Sequence, residues 1–323
     1  MTDLFTTRLQ DALALAGHGQ VDAAIAAADK AAALNPGHAV PFTLRTMLVL
    51  RRRFGPPPLP RLPGAQPPIS MRALGLQGRF GNQLMQYAFL RLYAGQHGLC
   101  AQAPDWIGRD LFGCNDPIIS QPLPSLDESQ ADLFGSLNGQ GPVHAGRDLS
   151  GYFCGETAQW GNRRDAFRAL FTLRPPVAAA LQPALDAIAA RGRTLVAVHL
   201  RRGDFGQGQF WIAPSDWYRA WLEALWPTLE APVLYIASDD PLTVRDFAAY
   251  DPLDARQLPA GDLDFLLDHQ VLRRADHLGI SNSSFSFTAA MLNSGAHFLR
   301  PDPVAQALVP FDPWNAPVLL PPA

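Results

Sequence analysis

The residues best suited to chemistry in this chain are two adjacent arginines within His199-Leu200-Arg201-Arg202-Gly203-Asp204. They follow the apolar run Leu195-Val196-Ala197-Val198, which reads as a buried strand. A strand needs apolar residues but has no use for neighbouring cations at its end. Guanidinium groups placed there form paired hydrogen bonds with phosphate oxygens and stabilise the charge that a departing diphosphate gathers. Taken alone, the segment also fits a solvated charge cluster.

Three further segments carry polar groups at comparable places. Ser281-Asn282-Ser283-Ser284-Phe285-Ser286 precedes an alanine-rich helical stretch. One of these residues would serve as a helix cap, and the others exceed what a cap uses, so the spare donors make an anion site at a helix N-terminus. Ser238-Asp239-Asp240-Pro241 ends another apolar run. Pro241 fits the first helical position and one aspartate the cap, which leaves the second carboxylate for a nucleobase or ribose. The two carboxylates are adjacent and so point apart, and no third ligand stands near them in sequence, so no metal site is expected. Gly75-Leu76-Gln77-Gly78-Arg79-Phe80-Gly81-Asn82-Gln83 is a glycine-rich turn that lets backbone approach a ligand, although it lacks the lysine of a nucleotide phosphate loop.

These segments need strands and helices to hold them. Short apolar runs at 71–76, 195–200, 233–237, 277–281 and 296–299 read as strands. Helical stretches are expected at 82–97, 215–226, 242–250, 263–275 and 285–293. Their alternation implies parallel sheets covered on both faces, the doubly wound α/β class, in which ligands bind at the carboxyl ends of strands. Before them, residues 1–54 read as helices. The spacing Ala12, Gly17, Ala24, Ala31, Pro36 resembles one tetratricopeptide repeat with a further helix from about His38. A plain helical hairpin extension fits the same residues. The proline-rich stretch 55–69 reads as a linker.

Composition sets outer limits. The chain has 323 residues, 48% of them hydrophobic and 17% charged, which describes a globular protein with room for two domains. A formal net charge of -3 gives no global attraction to nucleic acid, so any affinity for phosphate is local. Lys30 is the sole lysine, which removes Schiff-base chemistry from consideration. Three scattered cysteines, Cys100, Cys114 and Cys154, form no disulfide or metal framework and suit a reducing compartment. The first residues lack the basic start and apolar run of a signal peptide, so a cytoplasmic protein is expected, in at most peripheral contact with the inner membrane.

Together the motifs resemble the inverting bacterial alpha-1,2-fucosyltransferases of glycosyltransferase family 11. The family's GGLGNQ-type turn and QYAF helix correspond to Gly78-Arg79-Phe80-Gly81-Asn82-Gln83 and Gln86-Tyr87-Ala88-Phe89. Its HxRRGD segment corresponds to His199–Asp204, and its SDD turn to Ser238-Asp239-Asp240. Its IxNSSFSWWAA segment corresponds to 280–290, and its GYFQSE segment, more loosely, to Gly151-Tyr152-Phe153-Cys154-Gly155-Glu156. The order is kept from about Ala73 to Arg300. Phe287-Thr288 replace the family's paired tryptophans, and Arg79-Phe80 replace small or aliphatic residues in the turn.

The resemblance implies a GT-B-like fold of two Rossmann-type lobes, an acceptor-side lobe over 70–185 and a GDP-sugar lobe over 186–323. It implies GDP-beta-L-fucose as donor, a glycan acceptor, inversion at the anomeric carbon, and no cofactor or metal. Arg201 and Arg202 would hold the diphosphate, His199 and Asp240 the guanosine end, and Asn282, Ser283 and Ser284 the phosphates. Gly78, Gly81, Asn82 and Gln83 would form the glycine turn of the site. Arg202 would stabilise the leaving group, and either Asp204 or Glu156 would act as base. Another nucleotide sugar, or a non-catalytic scaffold with a protein partner at the N-terminal helices, are the competing readings.

Overall fold

The computed structural model describes residues 3–322. Three helices come first: α1 (Leu4–Gly17), α2 (Val21–Leu34) and α3 (Ala39–Phe54). The small side chains Ala12, Ala24, Ala27, Ala28 and Ala31 are buried, and Leu15 and Leu44 pack against the cluster of Ala12, Ala27 and Ala28. Alanine favours helix and lets the three backbones approach closely.

The α3 helix then joins the body that follows. Arg51 donates from Nε to Oδ1 of Asp110 at 3.0 Å and from a terminal nitrogen to Asp105 at 2.7 Å. Thr43 donates to the Gly75 carbonyl at 3.1 Å and accepts from Nε2 of Gln83 at 2.9 Å. The proline-rich stretch is also bonded down: its Pro58 carbonyl accepts from Arg109, and the Arg61 amide donates to the Asn115 carbonyl.

That body contains β1 (Pro68–Ser70), α4 (Phe80–His97), β2 (Cys100–Gln102), α5 (Ile107–Phe112), β3 (Ser125–Asp127), α6 (Leu133–Leu137) and β4 (Asp148–Ser150). Its four strands are all parallel, in the order β2-β1-β4-β3. The strand expected at 71–76 lies instead at Pro68–Ser70. A proline is tolerated at the first residue of a strand, where its missing N–H breaks no ladder, and the glycines after Met71 turn the chain toward α4.

After α7 (Arg164–Ala169) and α8 (Pro175–Ala189) comes β5 (Thr194–Leu200), followed by α9 (Ser215–Leu225), β6 (Pro232–Ser238), α10 (Asp264–Leu272), β7 (His277–Gly279), α11 (Ser284–Leu292), β8 (His297–Asp302) and β9 (Ala307–Pro310). The second sheet runs β6-β5-β7-β8-β9, parallel except for the last strand. Residues 242–250, expected as an α-helix, form a ten-residue 3-10 helix at Pro241–Tyr250. Val196, Val198 and Leu200 on β5 and Leu234 and Ile236 on β6 pack with Tyr218, Leu222 and Phe247 as the core on one face of this sheet.

The chain divides into two compact units. One runs through Phe153 and takes in Asp165–Val177, so it includes the three N-terminal helices. The other comprises Cys154–Arg164 and the residues from Ala178 onward. Among the described residues, no helix is long and apolar enough to cross a membrane.

Candidate active site

In the second unit the chain leaves β5 for β6 on one side and returns for β7 on the other. This reversal of strand order lies between β5 and β7, and doubly wound sheets bind ligands at the carboxyl ends of strands at such a switch. His199–Asp204 ends β5, Ser238–Asp240 ends β6, and 280–284 links β7 to α11. The structure therefore brings His199, Arg201, Arg202, Asp204, Asp240, Asn282, Ser283 and Ser284 to one end of one sheet.

His199 is buried, with Nδ1 at 2.6 Å from the Ser281 hydroxyl and 2.9 Å from that of Ser286. Burial pushes its pKa down to about 4; Asp239 opposes the shift and Arg202 adds to it. The ring is neutral at physiological pH and ties β5 to the start of α11. The hydroxyl of Tyr218 on α9 donates to the Ile280 carbonyl at 2.9 Å and fixes the same link from below.

The two arginines have different surroundings. Arg201 is ion-paired with Asp239 at 2.7 Å and with Asp204, and its guanidinium lies 5.1 Å from the Phe205 ring centre. Arg202 donates to the Arg201 carbonyl at 3.2 Å and to the Ser215 hydroxyl at 3.3 Å. Among the described residues, no carboxylate stands within ion-pair range of Arg202. One cation is thus neutralised by its neighbours, and the other is oriented without being neutralised.

The two aspartates of the β6 turn divide their work in a way the sequence did not reveal. Asp240 is the helix cap, accepting from the Leu242 amide at 2.9 Å. Asp239 accepts from the Arg202 amide at 2.8 Å and pairs with Arg201, so it shapes the turn that follows β5. A Cβ on Gly203 would stand 2.6 Å from Oδ2 of Asp239, so the glycine admits that carboxylate. Adjacency to Asp240 was the available signal; which of the two caps the helix was not legible. Ser215 and Tyr218 were missed as well, since a serine opening a helix reads as an ordinary start.

In the third segment Ser283 is the N-cap of α11, accepting from the Phe285 amide at 3.4 Å, and Ser284 is the first helical residue. The positive end of the helix dipole therefore lies at the same end of the sheet as the arginines. Asn282, expected on the phosphates, has both amide hydrogens engaged by the Gln209 and Leu320 carbonyls at 2.9 and 3.0 Å. Its oxygen accepts from the Leu320 amide at 2.8 Å. This side chain is a tether between two loops.

Glu156 is exposed at the start of the 3-10 turn Thr157–Trp160. Its neighbours are fixed by the C-terminal segment: Thr157 and Ala316 exchange hydrogen bonds, and the Val318 amide donates to the Gly155 carbonyl. Arg300 donates to the Pro317 carbonyl at 2.7 Å; burial lowers its pKa to about 10, against the pull of Asp302 and Glu156. From Ala316 to Leu320 an extended chain spans at most about 13 Å. The anchor beside Glu156 and the one at Asn282 are therefore no farther apart than this short span allows.

The glycine turn belongs to the first unit, at the carboxyl end of β1. Gly78 has φ +73°, and a Cβ there would collide with Asn82. Gly81 and Gln83 are buried in the first turn of α4, and Gln83 holds the Gly78 carbonyl as well as Thr43. Beside it, at the end of β4, the Glu128 carboxylate accepts from the amides of Tyr152 and Phe153, and Gln86 donates to the Gly151 carbonyl. Glu128 was not anticipated either. Among the described residues, no group of three or more His, Cys, Asp or Glu side chains is arranged to hold a metal ion. A cavity of about 320 Å³, lined in part by Arg193, Leu195, Val233 and Arg274, opens at the amino end of the second sheet, away from these motifs.

No family model matches the chain. It is 28% identical over 281 residues to galactoside alpha-(1,2)-fucosyltransferase 2 of Oryctolagus cuniculus, covering 75% of this chain and 73% of that protein. It is likewise 28% identical over 264 residues to galactoside alpha-(1,2)-fucosyltransferase 1 of Saimiri boliviensis boliviensis, covering 70% and 67%. Its fold is similar to that of NodZ alpha-1,6-fucosyltransferase, co-crystallised with GDP, with a TM-score of 0.54 at 16% identity over 77% of this chain and 99% of NodZ. In sequence and in fold the chain is thus similar to fucosyltransferase enzymes.

Proposed function

We propose that the protein transfers L-fucose from GDP-beta-L-fucose to O2 of a galactoside in a bacterial surface glycan or oligosaccharide, with inversion and without a metal. The observation that carries this reading is Arg202, a cation with no carboxylate partner among the described residues, held at a strand-order switch on the same end of the sheet as the N-terminus of α11.

In this mechanism the bond between the fucosyl anomeric carbon and the β-phosphate oxygen breaks, and GDP leaves with the electron pair. Arg202 and the α11 dipole stabilise the charge that gathers on the diphosphate. Ser283 and Ser284 lie against the phosphates. Asp239 and Asp204 hold Arg201, which braces the turn. The acceptor hydroxyl attacks from the opposite face and gives its proton to a carboxylate. Glu156 is the better placed base, because Asp204 is engaged by Arg201. The first unit, with its glycine turn, serves the acceptor side.

Thermal-shift measurements with GDP, UDP and dTDP test the donor assignment. A ligand at a hundred times its dissociation constant adds about 2.7 kcal/mol to stability. GDP is expected to raise Tm by several degrees and the pyrimidine nucleotides to have little effect. Transfer from labelled GDP-fucose to lactose is expected to continue in EDTA. Equal stabilisation by all three nucleotides sinks the donor assignment, and loss of transfer in EDTA sinks the metal-free mechanism.

A further inference from the structure

We propose that the loop from Phe205 to Ile212 is a binding platform for the pyranose ring of the acceptor, and that Asn282 is the residue that positions it. This rests on the fucosyl-transfer reading and extends it, placing part of acceptor recognition in the unit that holds the donor.

The segment Phe205-Gly206-Gln207-Gly208-Gln209-Phe210-Trp211-Ile212 mixes turn residues with large apolar ones. A loop following a phosphate turn has no folding need for exposed aromatic rings. Phe210 is nevertheless 41% exposed and Ile212 39% exposed. The rings of Phe205 and Phe210 lie 5.1 Å apart, tilted at 52°. Gly206, at φ +124°, and Gly208, at φ +53°, allow the turn that brings them together. The Gly206 amide donates to the Phe210 carbonyl at 2.7 Å, and the Phe210 amide to the Gln207 carbonyl at 3.0 Å.

The loop is held at both ends. Arg201 lies over Phe205 and also pairs with Asp239, which sets one end against the phosphate turn. At the other end Asn282 grips the Gln209 carbonyl, and Trp211 donates from Nε1 to the Leu320 carbonyl at 3.0 Å. A constrained pair of rings, with Phe210 facing solvent and Phe205 half-buried, therefore stands next to the Arg201 guanidinium.

A ligand at that place must reach the anomeric carbon and present an apolar face to the rings. A pyranose does both, since its C–H face is weakly positive and aromatic faces are negative. The amides of Gln207 and Gln209, both exposed, are suited to sugar hydroxyls. Guanine is the other flat group of the reaction. Its N1 and N2 hydrogens call for strong acceptors such as a carboxylate, and the loop contains none.

The test uses the full chain with Phe210→Ala, Phe210→Tyr and Asn282→Ala. Three readouts are taken: GDP affinity by calorimetry, saturation-transfer NMR of methyl β-galactoside with the GDP complex, and the acceptor KM for lactose. Phe210→Ala is expected to keep GDP affinity within twofold, lose the saturation-transfer signal and raise the acceptor KM about three- to tenfold. Phe210→Tyr, which keeps the ring, is expected to restore both. Asn282→Ala is expected to raise KM more than it lowers kcat.

Weakened GDP binding in Phe210→Ala would assign the platform to the nucleobase and overturn the proposal. A normal acceptor KM in that variant, or no sugar signal from the wild-type GDP complex, would overturn it as well. Failure of the wild type to bind GDP is a different result, and it removes the donor reading itself.

Discussion

Replacement of Arg202 tests the division of labour between the paired arginines most directly. Its guanidinium is oriented by the Arg201 carbonyl and the Ser215 hydroxyl, both neutral acceptors, so its charge is left for a ligand. Two charge-assisted hydrogen bonds to a diphosphate, each worth about 1.5–3 kcal/mol, are lost on Arg202→Ala. Part of that loss is recovered by water and by the α11 dipole. A net penalty of about 3 kcal/mol remains, or roughly 150-fold in GDP affinity. Arg202→Lys keeps the charge without the fork and is expected to lose about tenfold. Calorimetric titration with GDP and with uncharged guanosine separates the diphosphate from the base, and guanosine affinity is expected to be nearly unchanged in both variants. Arg201→Ala is expected to weaken GDP binding too, by leaving Asp204 and Asp239 as uncompensated negative charges beside the phosphates. Retention of wild-type GDP affinity by Arg202→Ala would refute the assignment of the diphosphate.

Other consequences are open to measurement. Glu156→Gln is expected to lower kcat for transfer by a factor on the order of a hundred or more, with GDP affinity unaltered; an unchanged kcat would return the role of base to Asp204. The buried His199, with its pKa lowered from 6.5 to about 4, must be charged when the protein is acidified, so its neutral-state stability is lost as pH falls through that window. Urea unfolding is expected to show a His199→Gln variant losing about 3 kcal/mol less than wild type between pH 7 and pH 4. Asp268, raised to about 7 by burial, acts in the opposite direction in both proteins and so cancels from the comparison. Arg51→Ala leaves the fully buried Asp110 side chain without its ion pair and is expected to cost about 3 kcal/mol in denaturant titration. A cost below half a kcal/mol would mean that the N-terminal helices are attached only loosely.

The second sheet was legible mainly through β5 and β6, which are long and apolar. Thr194–Leu200 and Pro232–Ser238 match the runs read from sequence to within two residues at each end. The first sheet was harder to read, with three-residue strands that give periodicity too little length to register. Pro68 concealed β1, since a proline argues against a strand except at its first residue. At the site, the sequence marks which segments converge but not how the partners pair. Asp239 and Asp240 are chemically identical, and the choice between capping a helix and bracing Arg201 follows from the three-dimensional course of the β6 turn. Asn282 shows the same limit from the other direction. Its residue type suits a phosphate, and only the positions of Gln209 and Leu320, 73 and 38 residues away, reveal that both amide hydrogens are engaged.

That tether places a constraint on the chemistry. One side chain joins the start of α11 to the aromatic loop, while the C-terminal segment bonded to it also carries the contacts beside Glu156. The proposed leaving-group site, base and sugar platform are therefore positioned from a shared set of backbone bonds. Transfer with inversion requires the nucleophile and the leaving group on opposite faces of one carbon, at a reacting distance of about 3–3.5 Å. A short, half-buried strap whose ends are fixed by hydrogen bonds meets that requirement better than independent loops would. Substitutions in Ala316–Leu320 should thus reduce kcat without touching any reacting atom.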